Sequence, residues 1–467
     1  AEGGRKGRLS DPVRLLGDPK RLWREHRRLV VALVLGMLAL AAGVVIAYEL
    51  LKRPPDVHNP DVTFVPQKPP KPQAKTVNWP IFGLDPARTR YLPAKGVKPP
   101  FRKLWRFTER PLLEFPPVYA GGKLYFVNNS GYAFALDADT GKVLWERRIG
   151  RLNASSPAYH RQRLYIVNLV PGHILKLDAK TGKTIWKRSL PSRAESSPLV
   201  IGRTVYFGCE DGGLYALSTI SGNVRWATSL GGPVKSAPAY YRDTLYVGDY
   251  GGYMNAVDAD SGELRWQSGS LGQGFGTSGA FYSTPAVAFG RVYAGNNDDR
   301  VYSFDRKDGT LAWSYSTGGY AYSGPTVANT RHSPPTVYIG SFDGNVYALD
   351  AKDGSLRWSR SAGGQVIGSL SAIGNIVYAA EFTDNSTSGF MMRSGRRVFH
   401  YGRGTYSPVI SDGRRIYLTG YSSITALQPY KYKRAVAPAI VAPAPKKKAT
   451  RGKGGKPRKK AGAKKRR

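Results

Sequence analysis

The hydrophobic pattern of the chain changes once along its length. Between residues 29 and 51 the sequence is almost entirely apolar, and Glu49 is the only charged residue. From about residue 101 the chain consists of short runs of alternating apolar and polar residues, such as KLYFV (123–127) and TVYIG (336–340). Alternation with a period of two, bounded by Gly and Asp, is typical of half-buried β-strands. The pattern predicts one apolar helix followed by an all-β domain.

The β region repeats with a period near 40 residues. An aromatic residue ends the fourth strand of each unit, and the steps between these residues are 40, 41, 40, 40, 47, 45 and 41. They are Trp105, Trp145, Trp186, Trp226, Trp266, Trp313, Trp358 and Phe399. A fixed period of this length, holding four short strands, indicates a repeat architecture.

The two ends of the repeat array complement each other. KLWRF (103–107) is a spare tryptophan strand, whereas the last unit, around 413–429, has no tryptophan strand of its own. If the N-terminal strand completes the last blade, the array closes into a ring without exposed strand edges. We therefore predict an eight-bladed β-propeller over residues 101–430.

A turn of the D-A-x-T/S/D-G type precedes most of the tryptophan strands, as in LDADTGKVLW (136–145). Its alternating acids are compatible with calcium, but the further acids and the closing glutamate of a helix–loop–helix calcium site are absent. An Asp that caps backbone N–H groups and a Gly with positive φ explain the pattern. Because the motif recurs around the ring, we expect it to shape the blades, and we expect the tryptophans to pack between neighbouring blades.

With its repeated A-x-T-G-K-x-x-W motif, the region 101–430 resembles the pyrroloquinoline-quinone-type propeller repeat family. WPIFGLDPARTRY (79–91) resembles the segment that precedes these propellers in many members. The resemblance implies one of two functions. The quinoprotein dehydrogenases hold the quinone and calcium in the central channel, whereas the outer-membrane assembly propeller and the extracytoplasmic sensor propellers are non-catalytic.

The cysteine content separates the two groups of the family. The alcohol dehydrogenases stack the quinone on a disulfide between adjacent cysteines, whereas Cys209 is alone here and is followed by Glu210. The resemblance therefore favours the non-catalytic members, with no cofactor. Pyrroloquinoline quinone and calcium belong to an alternative hypothesis, a quinone-dependent dehydrogenase.

Function in a repeat array is expected where the units differ. The residues just before each inner strand vary between units, and by repeat position they should ring one mouth of the channel. They are Glu114-Phe115, Asn153-Ala154, Ala194-Glu195, Val234-Lys235, Phe281-Tyr282, Ala321-Tyr322, Val366-Ile367 and Gly404-Thr405. We predict that Glu195 pairs with Lys235 and that Tyr282 and Tyr322, with the loop 272–283, form a platform for a ligand or partner. The sequence shows no catalytic constellation and no metal-ligand spacing.

Flanking charge predicts the topology of the apolar segment. Its 23 residues are long enough to cross the hydrocarbon core as a helix, and a cleaved signal peptide is the alternative. Five Lys or Arg residues at 20–28 precede it, against Lys52 and Arg53 after it. This bias predicts a cytoplasmic segment 1–28, a transmembrane helix 29–51 and an extracytoplasmic remainder.

Two further segments have biased compositions. Residues 52–100 hold twelve prolines, which predicts an extended linker, although Trp79 and Phe82 are expected to dock on the propeller. Residues 431–467 hold sixteen Lys or Arg and no acid, out of a net charge of +38, and are predicted to be disordered. Outside the membrane, candidate partners of this tail are anionic cell-wall polymers or lipid headgroups; a solubilising tail without a partner fits the composition equally well.

Together these features predict a single-pass, membrane-anchored propeller in the cell envelope. Its expected role is a non-catalytic scaffold or sensor whose partners are envelope proteins. One alternative is the quinone-dependent dehydrogenase. The other is a propeller whose basic tail binds nucleic acid, which would require the tail to lie in the cytoplasm.

Overall fold

The computed structural model describes residues 19–51, 53–73, 75–273 and 278–430. Residues 1–18 and the basic tail 431–467 lie outside the described residues, so the predictions made for them stay predictions. Helix α1 spans Pro19–Leu51, and its stretch Leu29–Tyr48 is long and apolar enough to cross a membrane. The side chains of this stretch are exposed and do not pack on the rest of the protein.

Residues 101–430 form eight blades, each built from four antiparallel strands, and the prediction of an eight-bladed propeller is confirmed. Two strands precede the repeats: β1 (Tyr91–Leu92) and β2 (Phe101–Thr108). Blades 1 to 4 contain β3 (Val118–Ala120), β4 (Lys123–Val127), β5 (Tyr132–Asp137), β6 (Val143–Arg148); β7 (Ala158–His160), β8 (Arg163–Asn168), β9 (His173–Asp178), β10 (Thr184–Ser189); β11 (Leu199–Ile201), β12 (Thr204–Gly208), β13 (Gly213–Ser218), β14 (Val224–Ser229); β15 (Ala239–Tyr241), β16 (Thr244–Gly248), β17 (Tyr253–Asp258) and β18 (Leu264–Gly269).

Blades 5 to 7 repeat this order, and blade 8 has three consecutive strands. They contain β19 (Ala286–Ala288), β20 (Arg291–Gly295), β21 (Arg300–Asp305), β22 (Leu311–Ser316); β23 (Thr326–Thr330), β24 (Ser333–Gly340), β25 (Asn345–Asp350), β26 (Leu356–Ser361); β27 (Ser371–Ile373), β28 (Ile376–Glu381), β29 (Ser386–Met391), β30 (Arg397–Tyr401); β31 (Ile410–Ser411), β32 (Ile416–Gly420) and β33 (Ser423–Pro429). The first strand of each blade lines the channel, and the last is outermost. In blade 7 the strand β1 adds to the inner edge in parallel.

Strand β2 closes the ring. It pairs antiparallel with β33, with Phe101 opposite Pro429 and Thr108 opposite Ser423, and so becomes the outermost strand of blade 8. The predicted closure by an N-terminal strand is therefore confirmed. Closure pairs the outer edge of β33, which would otherwise be exposed.

The repeated turn and the repeated tryptophan meet at every junction between blades 1 to 7 and at the junction of blade 8 with blade 1. Trp145 Nε1 of blade 1 donates to the Ala179 carbonyl of blade 2 at 3.0 Å. Its ring covers Gly182, whose φ is +71°, and a Cβ at Gly182 would lie 2.7 Å from that ring. Asp178 Oδ1 accepts from the N–H groups of Lys180 and Thr181, as expected of a capping Asp. The motif therefore serves contact between blades.

The proline-rich segment does not form the extended linker that its composition predicts. Val65 N donates to the Phe289 carbonyl at 2.9 Å, and Val77 N donates to the Asp412 carbonyl at 3.0 Å. Residues 53–73 and 75–100 therefore run along the propeller. The linker prediction is wrong because backbone and side-chain hydrogen bonds to the blades replace the solvated polyproline geometry that prolines favour in isolation.

Residues 79–92, which we call the plug segment, close one end of the central channel. Their carbonyl groups accept hydrogen bonds from the inner strands of six blades, and β1 pairs with β27. The donor and acceptor pairs are Tyr119 to Trp79, Tyr159 to Pro80, Tyr240 to Pro86, Val287 to Ala87, Val327 to Thr89 and Ala372 to Arg90. Trp79 is 2% exposed and Phe82 is 7% exposed, so the expected docking of these two residues is confirmed.

Two arginines of the plug segment are fully buried. Arg88 Nε donates to the Pro238 carbonyl at 3.0 Å, and Arg90 Nη1 donates to the Pro325 carbonyl at 2.9 Å. Burial lowers the pKa of both guanidinium groups to about 9, so both remain protonated at neutral pH. Buried cations are tolerated only where hydrogen-bond acceptors surround them, and here the inner strands supply those acceptors.

Gly141 and Gly122 of blade 1 test the contact between the repeated turn and the tryptophan. Both have positive φ, +72° and +78°, but a Cβ at Gly141 would lie 2.6 Å from the Trp105 ring, whereas a Cβ at Gly122 would meet nothing within 4 Å. We expect Gly122→Ala to cost about 1 kcal/mol for the left-handed backbone. Gly141→Ala should cost a further 1–3 kcal/mol, roughly, for overpacking against Trp105. Thermal unfolding measures both, and equal losses would contradict the role of the contact.

Candidate functional site

The channel is open at the end opposite the plug segment. A cavity of about 80 Å³ lies there, with Phe82 of the plug segment among its walls. We call this opening the mouth. Its lining includes, from the positions before the inner strands, Glu114, Glu195, Lys235, Tyr282, Tyr322 and Ile367. All four residues singled out in the sequence therefore lie in one cavity.

Lys235 joins two carboxylates at the mouth. Its Nζ lies 3.1 Å from Glu195 Oε1, the pairing that the sequence predicts, and 3.2 Å from Glu210 Oε1. Arg193 bonds the other oxygen of Glu210 at 2.7 Å. Burial alone would lower the pKa of Lys235, but the two carboxylates raise it above its usual value. Burial raises the pKa of Glu195, against the opposing effect of Lys235.

A row of aromatic rings forms the other side of the mouth. Tyr282 and Tyr322 meet edge to face, with ring centroids 5.4 Å apart. Tyr250 extends the row at 6.1 Å from Tyr282, and Phe342 extends it at 5.0 Å from Tyr322. Burial raises the pKa of Tyr282 well above its usual value, so its hydroxyl stays protonated and neutral. Residues 274–277 of the predicted platform loop lie outside the described residues.

A second ring of residues surrounds the mouth and was missed by the sequence analysis. It occupies the same position in the loop between the second and third strands of each blade. The ring comprises Asn129, Leu169, Glu210, Tyr250, Asn297, Phe342, Phe382 and Tyr421. In seven blades, as at Glu210 and Tyr250, the backbone N–H at this position donates to a carbonyl of the chain that leads into an inner strand. An alignment of the eight repeats on their second strands would have found this ring, because the residue type differs between units at the second position after that strand.

The mouth does not fit the quinone of the alternative hypothesis. The cavity holds only a few water molecules or one small functional group. A quinone bearing carboxylates would also face Glu114, Glu195 and Glu210, with Lys235 already bonded to two of them. Cys209 is fully buried and its thiol is free. In the described ranges no three His, Cys, Asp or Glu side chains converge as a metal site.

Comparison with known proteins agrees with this architecture. The model of the family described as outer membrane protein assembly factor BamB matches residues 99–238 and 228–419, which is more than half of the chain. The chain belongs to this family. Similarity to BamB of Moraxella catarrhalis extends to the solved structure, with a TM-score of 0.59 and 17% identity over 72% of this chain and 99% of that protein.

Dehydrogenases share the fold of this BamB family member. The quinohemoprotein alcohol dehydrogenase of Comamonas testosteroni has a TM-score of 0.63 and 14% identity, covering 76% of this chain and 81% of that one. A quinate/shikimate dehydrogenase (quinone) of Acinetobacter baylyi is 27% identical over 143 residues, or 28% of this chain. The match spans only 16% of that dehydrogenase. Identities this low show the fold alone.

Glu114 allows a test of electrostatics at the mouth. Burial, with the nearby charge of Glu195, raises the pKa of its carboxyl against one hydrogen bond from Asn129. The folded state thus binds this proton more tightly than the unfolded state, so stability falls as pH rises from the ordinary pKa to the raised one.

We therefore expect Glu114→Gln to stabilise the protein at pH 7 by about 1 kcal/mol or less, and to have no effect at about pH 3.5. Thermal unfolding at the two pH values measures the difference. Glu146→Gln, at an exposed position of β6, is the control and should be neutral at both. A Glu114→Gln protein that is no more stable than wild type at pH 7 would contradict the burial effect.

Proposed function

We propose that this protein is a membrane-anchored propeller of the cell envelope that acts as a non-catalytic interaction scaffold and binds a partner protein at the mouth. The observation that carries this proposal is the juxtaposition of an aromatic row and a Lys–Glu cluster around one small cavity. Tyrosine is enriched among residues that dominate binding energy at protein interfaces, and such residues lie near the centre of the contact. The BamB family similarity supports an envelope location.

Membrane anchoring rests on α1. Leu29–Tyr48 is apolar and exposed, as expected of a helix whose surroundings are lipid. The positive residues before it favour an extracytoplasmic propeller. An uncleaved anchor would keep the scaffold at the membrane.

The dehydrogenase remains the second candidate because a quinone dehydrogenase matches part of the chain. The size and charge of the mouth argue against it. Adding pyrroloquinoline quinone and calcium to the purified protein should give neither tight binding nor dye-linked alcohol oxidation. Either result would replace the scaffold hypothesis.

The scaffold hypothesis is tested by crosslinking in membranes followed by purification of the full-length chain. We expect Tyr282→Ala/Tyr322→Ala to weaken capture of the partner by roughly thirtyfold or more, because truncating an interface anchor costs about 2 kcal/mol. The matched control is Ile220→Ala, which truncates an exposed apolar side chain in a turn at the opposite end of blade 3. Equal capture by the tyrosine variant, the control and wild type would reject the mouth as the binding site.

A further inference from the structure

A very short link joins the apolar helix to the propeller. The apolar stretch of α1 ends at Tyr48, and Arg53 is already attached to blade 5, with Nη1 2.8 Å from Asp299 Oδ2. Even when fully extended, these five residues span at most about 17 Å. The attachment point therefore lies within that distance of the end of the apolar stretch.

The attachment point belongs to the mouth end of blade 5. Asp299 lies in the loop between β20 and β21, one of the loops that surround the mouth. From there the chain runs away from the mouth along β22: Asp56 accepts from Ser316 N at 2.9 Å, and Asn59 N donates to the Ala312 carbonyl at 2.7 Å. The chain that follows α1 therefore enters the propeller at the mouth and reaches the plug end afterwards.

The height of a blade places the mouth end and the plug end at different distances from the membrane. A six-residue strand is about 20 Å long, so the plug end lies at least that much further from the attachment point. The polar headgroup layer adds only about 5–8 Å beyond the hydrocarbon on each side. With a link of at most about 17 Å, Arg53 and the mouth end of blade 5 lie within roughly 10 Å of the headgroup layer.

The loops between second and third strands, at the mouth end, have a charge opposite to that of the whole chain. In a protein of net charge +38, the eight loops between second and third strands contain no Lys or Arg. Their acidic residues are Glu210, Asp211, Asp249, Asp298, Asp299, Asp343 and Asp384. The loops that lead into the inner strands carry both signs, with Arg110, Arg151, Arg193, Lys235 and Arg403 beside Glu109, Glu114 and Glu195. Inside the cavity, the Glu114 carboxylate accepts from Asn129 Nδ2 at 3.3 Å. The charge of Lys235 reaches it across the cavity, but no ion pair with Glu114 is formed among the described residues.

The acidic loops and the tyrosine rings at the mouth together favour a partner that presents a Lys or Arg side chain. Carboxylates pair with Lys or Arg, and the faces of tyrosine rings attract the same cations. Lys235 makes a cation–ring contact of this kind within the chain, since its Nζ lies 5.5 Å from the Tyr250 ring centroid. A flat bilayer does not enter a concave cavity, whereas a side chain from a protein segment does.

We infer that the mouth is turned toward the membrane that holds α1, and that it receives a Lys- or Arg-bearing segment of an integral protein of that membrane, close to the bilayer surface. The inference rests on the proposed function, because it requires α1 to remain as an anchor.

Energy transfer to labelled lipids tests the orientation. The full chain is placed in vesicles of phosphatidylethanolamine and phosphatidylglycerol that carry an acceptor dye on lipid headgroups. A donor dye is attached to Tyr421→Cys at the mouth or to Ile220→Cys at the opposite end, where the native side chains are 54% and 64% exposed. Cys209 is buried, and burial raises its thiol pKa to about 11, so the dye reacts with the introduced cysteine.

We expect severalfold stronger transfer from position 421 than from position 220. Tyr421 lies in blade 8, far around the ring from blade 5, so a propeller lying on its side would leave position 421 distant from the lipid. A flexible Gly/Ser insertion of about 20 residues between Lys52 and Arg53 should abolish the difference, because its mean span of roughly 25 Å releases the propeller. Equal transfer without the insertion would overturn the orientation.

Two synthetic single-span peptides test the partner chemistry in the same vesicles. One carries lysines at its end on the propeller side, and the other carries glutamates there. We expect photo-crosslinking from the mouth to favour the lysine peptide severalfold, to weaken at about 0.5 M salt and to fall in Glu114→Gln/Glu210→Gln. The control Glu146→Gln/Glu263→Gln, which changes exposed acids outside the mouth, should behave as wild type.

Each other outcome overturns a stated part of the inference. Equal crosslinking of both peptides would reject a basic partner, and lipid proximity without peptide crosslinking would make the bilayer the occupant. Stronger crosslinking in a chain ending at residue 430 would assign the mouth to the basic tail 431–467. Loss of α1 by cleavage would refute the anchor itself, whereas an anchored chain with equal transfer refutes only the orientation.

Discussion

Arg88 and Arg90 carry two guanidinium groups into the space where the inner strands converge. The carbonyl groups that bond them belong to Ser197, Pro238, Thr284 and Pro325, in four successive blades. An isolated cation in such surroundings would cost several kcal/mol, and those blades must therefore be in place together for the arginines to be satisfied. The same segment pairs the inward edges of the short inner strands, whose polar groups need partners away from water. Because the plug segment fills this end of the channel, the mouth is the open end among the described residues.

The architecture could be predicted because the residues that form the contacts between blades recur in the sequence of most repeats. Seven of the eight junctions use a tryptophan on one blade and a Gly at positive φ on the next, as at Trp145 and Gly182. That requirement fixes the residue type at a fixed spacing, so a period near 40 becomes visible. The spare strand around Trp105 revealed the closure for the same reason, since one tryptophan strand lay ahead of the first unit.

The path of the proline-rich chain before the plug segment and the second ring of mouth residues could not be predicted in the same way. Prolines in isolation favour extended geometry, and nothing in the composition of residues 53–78 shows that their backbone bonds to blades 5, 6 and 8. Tyr250 and Phe342 occur once each, so no period marks them, and their proximity to Tyr282 and Tyr322 depends on how four loops converge.

The middle strands show a milder discrepancy: β12 is buried at every position because neighbouring blades cover both of its faces, although its alternation indicated one solvated face.

The pairing of β2 with β33 has a consequence for biogenesis. The two strands are separated by more than three hundred residues, and all seven other blades lie between them in the chain. In the topology proposed above, a chain that inserts α1 first would hold β2 without a partner until almost the whole propeller had crossed the membrane. Bringing such distant segments together is entropically costly, and an unpaired edge is a template for aggregation in the meantime. In that topology, export depends on how well this single strand is shielded during translocation.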